Sequence, residues 1–223
     1  MKKFTTLVAG AVSALAIAWV GIALSQTSQP GINTVPQPNA VWLQAGIESR
    51  LKTFKVSILG TAPTAGGAGD YLTIAGSASK TIRISKIVVG GQNSAAQTYR
   101  GVNILRRSAV DTGGTPATPT IVARDINNGT PAATVTTFFA AVPTGGTLTG
   151  TLDSCRILLA QTATTFNVPD VCSFTYGVND DQMTVLRGAT DVVAVNFNAS
   201  ANGVVAPATT DFLDIDLEWA EEP

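Results

Sequence analysis

The stretch Leu213-Asp214-Ile215-Asp216-Leu217-Glu218-Trp219 alternates apolar and acidic residues without a break. Successive side chains of a β-strand point to opposite faces. Leu213, Ile215, Leu217 and Trp219 therefore share one face, and Asp214, Asp216 and Glu218 share the other. A strand with one dry and one wet face suits an antiparallel sheet packed on a core from one side. Working back along the chain, period two recurs in residues 193–197 (VAVNF), 183–186, 156–159, 135–139, 102–104, 82–85, 71–74 and 54–58, with 87–89 as a more buried run. Turn signals separate these runs: Gly66-Gly67, Gly90-Gly91, Thr112-Gly113-Gly114, Asn127-Asn128-Gly129, Pro143-Thr144-Gly145-Gly146 and Asn202-Gly203. About ten short strands without a strong helix between them predict an all-β domain over residues 53–223, an antiparallel β-sandwich of jelly-roll-like kind. A parallel fold would need crossover helices, and the pattern contains none.

The chain ahead of this domain has a different character. Lys2 and Lys3 precede an uncharged apolar run over residues 4–24, the form of a secretory leader. Ala23 and Ser25 put small residues three and one positions before a cut ahead of Gln26. The same run, as a helix, is about 31 Å long, one bilayer. Gly10, Ala14 and Ala18 fall on one of its faces, a spacing that lets two membrane helices pack closely. Residues 1–25 are thus a signal peptide or a membrane-anchor helix, with Lys2 and Lys3 on the cytoplasmic side. Residues 26–39 (QTSQPGINTVPQPN) form a solvated linker. The linker region, 26–52, also carries most of a short helix in this reading, residues 41–54 (VWLQAGIESRLKTF), capped by Asn39 and supported by Glu48 and Lys52 four apart, with Gly46 against it.

Export gives the two cysteines a role. Cys155 and Cys172 flank a turn-rich stretch, and in an oxidising compartment they are candidates for one disulfide across a hairpin. Two buried free thiols are the alternative.

The formal net charge of -1 hides a split. Residues 1–110 hold 11 Lys and Arg against 2 Asp and Glu, and residues 111–223 hold 3 against 13. Two arrangements follow. Within one subunit, the basic strand around residues 80–86 lies beside the acidic strand 211–218. Between subunits, Lys80, Arg83 and Lys86 of one copy meet Asp214, Asp216 and Glu218 of the next, which selects partner and register more than it adds affinity.

The composition also removes reaction classes. The chain has no His, so Ser-His-Asp and Cys-His nucleophilic sites, HExxH zinc sites and imidazole proton shuttles are excluded. Two Cys cannot build a Cys₄ zinc site. Gly66-Gly67-Ala68-Gly69 lacks the Lys-Ser/Thr that completes a phosphate loop. Asp180-Asp181 reads as turn chemistry. The acidic row Asp214, Asp216 and Glu218, with Glu221 and Glu222, offers oxygens for weak Ca²⁺ binding; its plain reading is a solvated face. Arg100, Arg106 and Arg107 have no aromatic platform beside them, so nucleic acid is not an expected partner. No cofactor and no enzymatic activity are expected.

Four segments together resemble a known family. They are GSASKTIRISKI (76–87), Leu105-Arg106-Arg107-Ser108 followed by Thr112-Gly113-Gly114-Thr115, Val185-Leu186-Arg187-Gly188, and the terminal Leu213–Trp219 alternation. In this order they resemble β-rich virion structural proteins encoded by bacteriophages, over about residues 53–223. The resemblance leaves out the leader and linker, and it implies no catalytic residues. It implies a virion subunit (spike, decoration or capsid-associated) that assembles with copies of itself and with other virion or envelope proteins. The N-terminal segment would cross or enter the bacterial inner membrane. The competing expectation is an exported bacterial surface protein, an adhesin or an extracellular filament subunit, in which residues 26–39 donate a strand to a neighbour. A carbohydrate-binding sandwich is a third class, for which no aromatic platform is evident.

Overall fold

A computed structural model describes residues 51–162, 170–177, 183–198 and 204–222. The leader or anchor with Gly10, Ala14 and Ala18, the linker through residue 50, and the turns at Asp180-Asp181 and Asn202-Gly203 lie outside the described residues. The described chain is all-β. Its strands are β1 (Lys52–Thr61), β2 (Gly69–Ala75), β3 (Thr81–Asn93), β4 (Thr98–Arg107), β5 (Ile121–Ala123), β6 (Thr134–Thr137), β7 (Leu148–Gln161), β8 (Cys172–Thr175), β9 (Thr184–Leu186), β10 (Val192–Asn198) and β11 (Asp211–Glu222). The described helical content is one 3₁₀ turn, Ile126–Asn128, with the Asp125 side chain accepting from the Asn127 N–H at its start.

The strands form one curled sheet in the order β5-β1-β11-β3-β7-β4-β10-β2-β6. β8 and β9 both pair with β3, at residues 86–89 and 82–84. Every ladder is antiparallel except β3 with β7, which is parallel and only two residues long, Gln92 opposite Ala160 and Asn93 opposite Gln161. The sheet is therefore mixed where a purely antiparallel one was expected. The reason is length: β3 runs 13 residues, β8 and β9 cover its middle and start, and its tip is left for β7.

Alternation places the core. Leu213, Ile215, Leu217 and Trp219 of β11 are buried with Phe54 and Val56 of β1 and Ile82, Ile84, Ile87 and Val89 of β3. Ile74, Val102, Ile104, Val193, Val195 and Phe197 from the other half of the sheet complete the same core. Phe54 stacks on Trp219 at 5.7 Å, and Tyr71 meets Phe139 and Phe197 edge-on at 5.6 and 5.2 Å. Such pairs add about 0.5–1.5 kcal/mol each beyond their buried area.

Gly90-Gly91, read from sequence as a turn, lies inside β3 opposite Asp214 and Leu213. Gly91 has φ of 147°, and a Cβ there would come within 2.3 Å of the Phe212 carbonyl oxygen. Glycine here permits close approach of two strands, which composition alone does not distinguish from a bend. β5 and β8 were not expected from the sequence, since three and four residues carry almost no periodicity.

Candidate functional site

The charged side chains meet one another along the sheet. β11 lies between β1 and β3, which sets the acidic strand between two basic ones. Lys55 Nζ contacts Asp216 Oδ2 at 3.1 Å and Glu218 Oε1 at 3.9 Å. Arg83 Nε donates to Glu222 Oε1 at 2.6 Å, Arg124 pairs with Glu218, and Lys86 stands opposite Glu218 in register. Asp214 accepts from the Gly60 N–H at 2.6 Å, and Lys80 lies in the turn ahead of β3. Glu221 is buried and accepts from the Ala132 and Ala133 N–H groups and the Trp219 indole. The carboxylates of the proposed Ca²⁺ row are thus each engaged within the chain. Among the described residues no three His, Cys, Asp or Glu side chains are grouped to hold a metal ion.

The three arginines of β4 are engaged as well. Arg106 and Arg107 are consecutive, so they leave opposite faces of the strand. Arg106 forks onto both oxygens of Asp191 at 3.1 and 2.6 Å and donates to the Val185 carbonyl. Arg100 and Asp211 are both buried and make a two-pronged pair at 2.7 and 3.0 Å. Asn93 Nδ2 and the Ala208 N–H supply two more donors to Asp211. This cluster ties the start of β11 to β4, on the far half of the sheet.

A second buried cluster has one cation and two acids. Arg107 Nε and Nη2 donate to Asp70 at 2.7 and 3.0 Å, Asn196 Nδ2 donates to the same carboxylate, and Arg107 Nη1 donates to the Gly146 carbonyl. Asp111 lies 3.7 Å from Arg107 Nε, and its Oδ1 accepts from the Gly146 N–H at 2.9 Å. Its Oδ2 is buried and has no hydrogen-bond partner among the described residues. Burial first, then Asp70, pushes the Asp111 pKa up to about 6, against the lowering pull of the Gly146 N–H and Arg107.

Cys155 on β7 and Cys172 on β8 form a disulfide. The chain joining the two strands lies outside the described residues; among the described ones β7 pairs chiefly with β4, β8 pairs with β3, and the Asp170 N–H donates to the Leu158 carbonyl at 3.3 Å. A second contact reinforces the seam, the Tyr176 hydroxyl donating to Asp153 Oδ2 at 2.8 Å. Burial and that carboxylate push the Tyr176 hydroxyl pKa well up.

The surface carries one feature that sequence patterning did not point to. β11 pairs along β1 to Thr61, whereas among the described residues its opposite edge is covered only at residues 54–56, by β5. Beside the uncovered edge is a cleft of about 510 Å³ whose lining includes Ile58, Leu59, Thr61, Ala117, Pro119 and Phe139. Leu59, on that edge, is 84% exposed. The buried pairs and this cleft had no sequence signal beyond the Arg106-Arg107 doublet, because a buried charge and a surface charge are the same letter.

No protein-family model, no curated protein and no solved structure matches this chain.

Proposed function

We propose that the protein is a non-enzymatic structural subunit of a bacteriophage virion, a spike, decoration or capsid-associated protein, that assembles with copies of itself through its β-domain. In this reading the curled sheet is a jelly-roll-like sandwich, since strands from both halves contribute to one core. The observation that carries the proposal is how the side chains are divided. Acidic and basic groups are engaged with each other along the sheet, while Leu59, Val122, Ile126 and Val171 are left exposed. Apolar side chains at a surface with few free charges suit contact with other protein surfaces. The disulfide fits folding in an oxidising compartment, and hence passage of the domain across the inner membrane. The Lys80, Arg83 and Lys86 to Asp214, Asp216 and Glu218 contact between copies stays part of the proposal as a secondary, register-setting interaction.

The test is light scattering of the full chain at rising concentration, with mass spectrometry of purified virions. Concentration-dependent oligomers and the protein's peptides in particles are expected. A monomer at high concentration that is absent from particles refutes the proposal. Recovery from bacterial envelopes and filaments instead of particles selects the second reading, an exported surface or filament subunit, which the edge of β1 left unpaired among the described residues also favours.

A further inference from the structure

We propose that the two turns at residues 76–81 and 187–191 form a binding site for one phosphate-ester group on a small polyol or sugar, with Lys80, Arg187 and the paired hydroxyls of Ser77 and Ser79 as its donors. The site needs only one chain, so it stands apart from the self-assembly reading.

The fold builds the pocket from two connections. β2 ends at Ala75, opposite the first residue of β10, Val192. β9 ends at Leu186, opposite Ile82 near the start of β3. The turn from β2 to β3 and the turn from β9 to β10 therefore leave the sheet side by side. Backbone hydrogen bonds stitch them together: the Gly76 N–H donates to the Asp191 carbonyl at 2.9 Å, and the Gly188 N–H donates to the Ser77 carbonyl at 3.1 Å. Glycine at 76 lets the turns close, since a Cβ there would come within 2.6 Å of the Gly188 carbonyl oxygen. Between the turns is a cavity of about 280 Å³ whose lining includes Ser77, Ser79, Lys80, Thr81 and Arg187, with no carboxylate among its described lining residues. That volume equals roughly nine waters at about 30 Å³ each.

The two cations are left over where most others are spoken for. Neither Lys80 nor Arg187 makes an ion pair with a described carboxylate, and the acids of the surrounding elements are already engaged. Asp191 fixes the Arg187 backbone by accepting its N–H at 3.1 Å, but the Arg106 fork takes both of its oxygens. Glu222, in register with Thr81, is held by Arg83 at 2.6 Å. The hydroxyls complete the donor set. Ser77 Oγ and Ser79 Oγ are 3.2 Å apart, and Ser77 Oγ also accepts from the Ser79 N–H at 3.1 Å. One hydroxyl hydrogen fills the bond between them, and the other is left to donate. An anion in the cavity thus meets an ammonium, a guanidinium and a hydroxyl. A phosphate ester brings three strong acceptor oxygens and up to two negative charges to these donors, where a carboxylate brings two oxygens and one charge. The cavity also has room for what the phosphate is attached to. Residues 76–81 and 187–191 contain no apolar side chain larger than Ala, so a hydrated polyol or sugar suits the site and an acyl chain does not. Copies arrayed on one assembly would add their single contacts into firm attachment to a phosphate-bearing polymer.

The test is calorimetric titration of the full chain at low ionic strength with glycerol 3-phosphate, with uncharged glycerol as the blank and vesicles of phosphatidylglycerol in phosphatidylcholine as a second arm. Saturable binding of glycerol 3-phosphate that weakens as salt is added is expected, and none of glycerol. Lys80→Gln combined with Arg187→Gln should weaken that binding about tenfold or more. Arg156→Gln removes a positive charge from β7 opposite Gly101, at the other end of the sheet, and should leave binding within about twofold of wild type. No saturable binding to wild type at up to about 10 mM ligand overturns the proposal. So does undiminished binding in the double variant, or an equal loss in Arg156→Gln, which would mean that bulk charge and not a built site holds the anion. Vesicle binding without binding of the soluble ester overturns it as well, in favour of a membrane-surface contact. Circular dichroism checks the fold of the double variant. Should it fail to fold, the two single variants are read instead: about a threefold loss is expected from each, and no loss from either overturns the proposal.

Discussion

Replacing Asp111 by Asn is expected to stabilise the protein at neutral pH and to leave it unchanged in acid. The ordinary Asp value is 3.8, and in the folded chain Asp111 holds its proton up to about pH 6. Below pH 3.8 folded and unfolded chains both carry the proton. As pH rises through the window from about 4 to 6, the unfolded chain releases it while the folded chain retains it. Folding is then opposed by about 1.4 kcal/mol for each pH unit, and the loss levels off above the folded value. The total is about 2–3 kcal/mol, or about 4–12 °C in melting temperature for a domain of this size. An Asn side chain keeps the geometry of the protonated acid. Its carbonyl can accept from the Gly146 N–H as Oδ1 does, and its amide has no proton to lose as pH rises. The assay is thermal or urea unfolding of wild type and Asp111→Asn from pH 4 to pH 8. Other carboxylates titrate alike in both proteins and cancel in the difference. That difference should grow from near zero at pH 4 to its full value near pH 7.5, with the variant the more stable. A difference independent of pH, or a variant less stable at pH 7.5, refutes the account in which burial keeps the proton on Asp111.

Asp211→Ala should cost about 3–5 kcal/mol in urea unfolding, because it leaves the buried Arg100 guanidinium without its carboxylate; a loss below about 1 kcal/mol would mean that Arg100 finds another partner or water. Substituting both Cys155 and Cys172 by Ser should lower stability by about 3 kcal/mol through the freed loop of 17-residue separation. A reducing agent should do the same to wild type and nothing to the double variant. Equal denaturation midpoints for the oxidised and reduced wild type would show that the Tyr176–Asp153 contact and the β3 ladders hold the seam unaided.

Local patterning made the strands legible, and it did so where they are long. The Leu213–Trp219 alternation corresponds to β11, with its apolar face in the core and Asp214, Asp216 and Glu218 outward. The run at 193–197, read as period two, is buried on both faces over Val193–Val195 in β10, which its alternation did not show. β5 and β8 stayed hidden because a three- or four-residue strand exists only through its partner. Gly90-Gly91 misled for a related reason: the conformational freedom that makes glycine a turn residue also lets two backbones close to within reach.

The sequence by itself determined that the domain is built from half-buried strands, that imidazole chemistry is absent, and that the basic and acidic halves of the chain must answer each other somewhere. All three are properties of composition and of spacing along the backbone, which survive any folding. Only the tertiary structure decided which charge meets which, that Arg107 stands between Asp70 and Asp111, that the cysteines join β7 to β8, and that among the described residues half an edge of β1 is unpaired. These depend on residues tens to more than a hundred positions apart arriving at one place. That arrival is set by the order of strands in the sheet, to which the period of any single strand is blind.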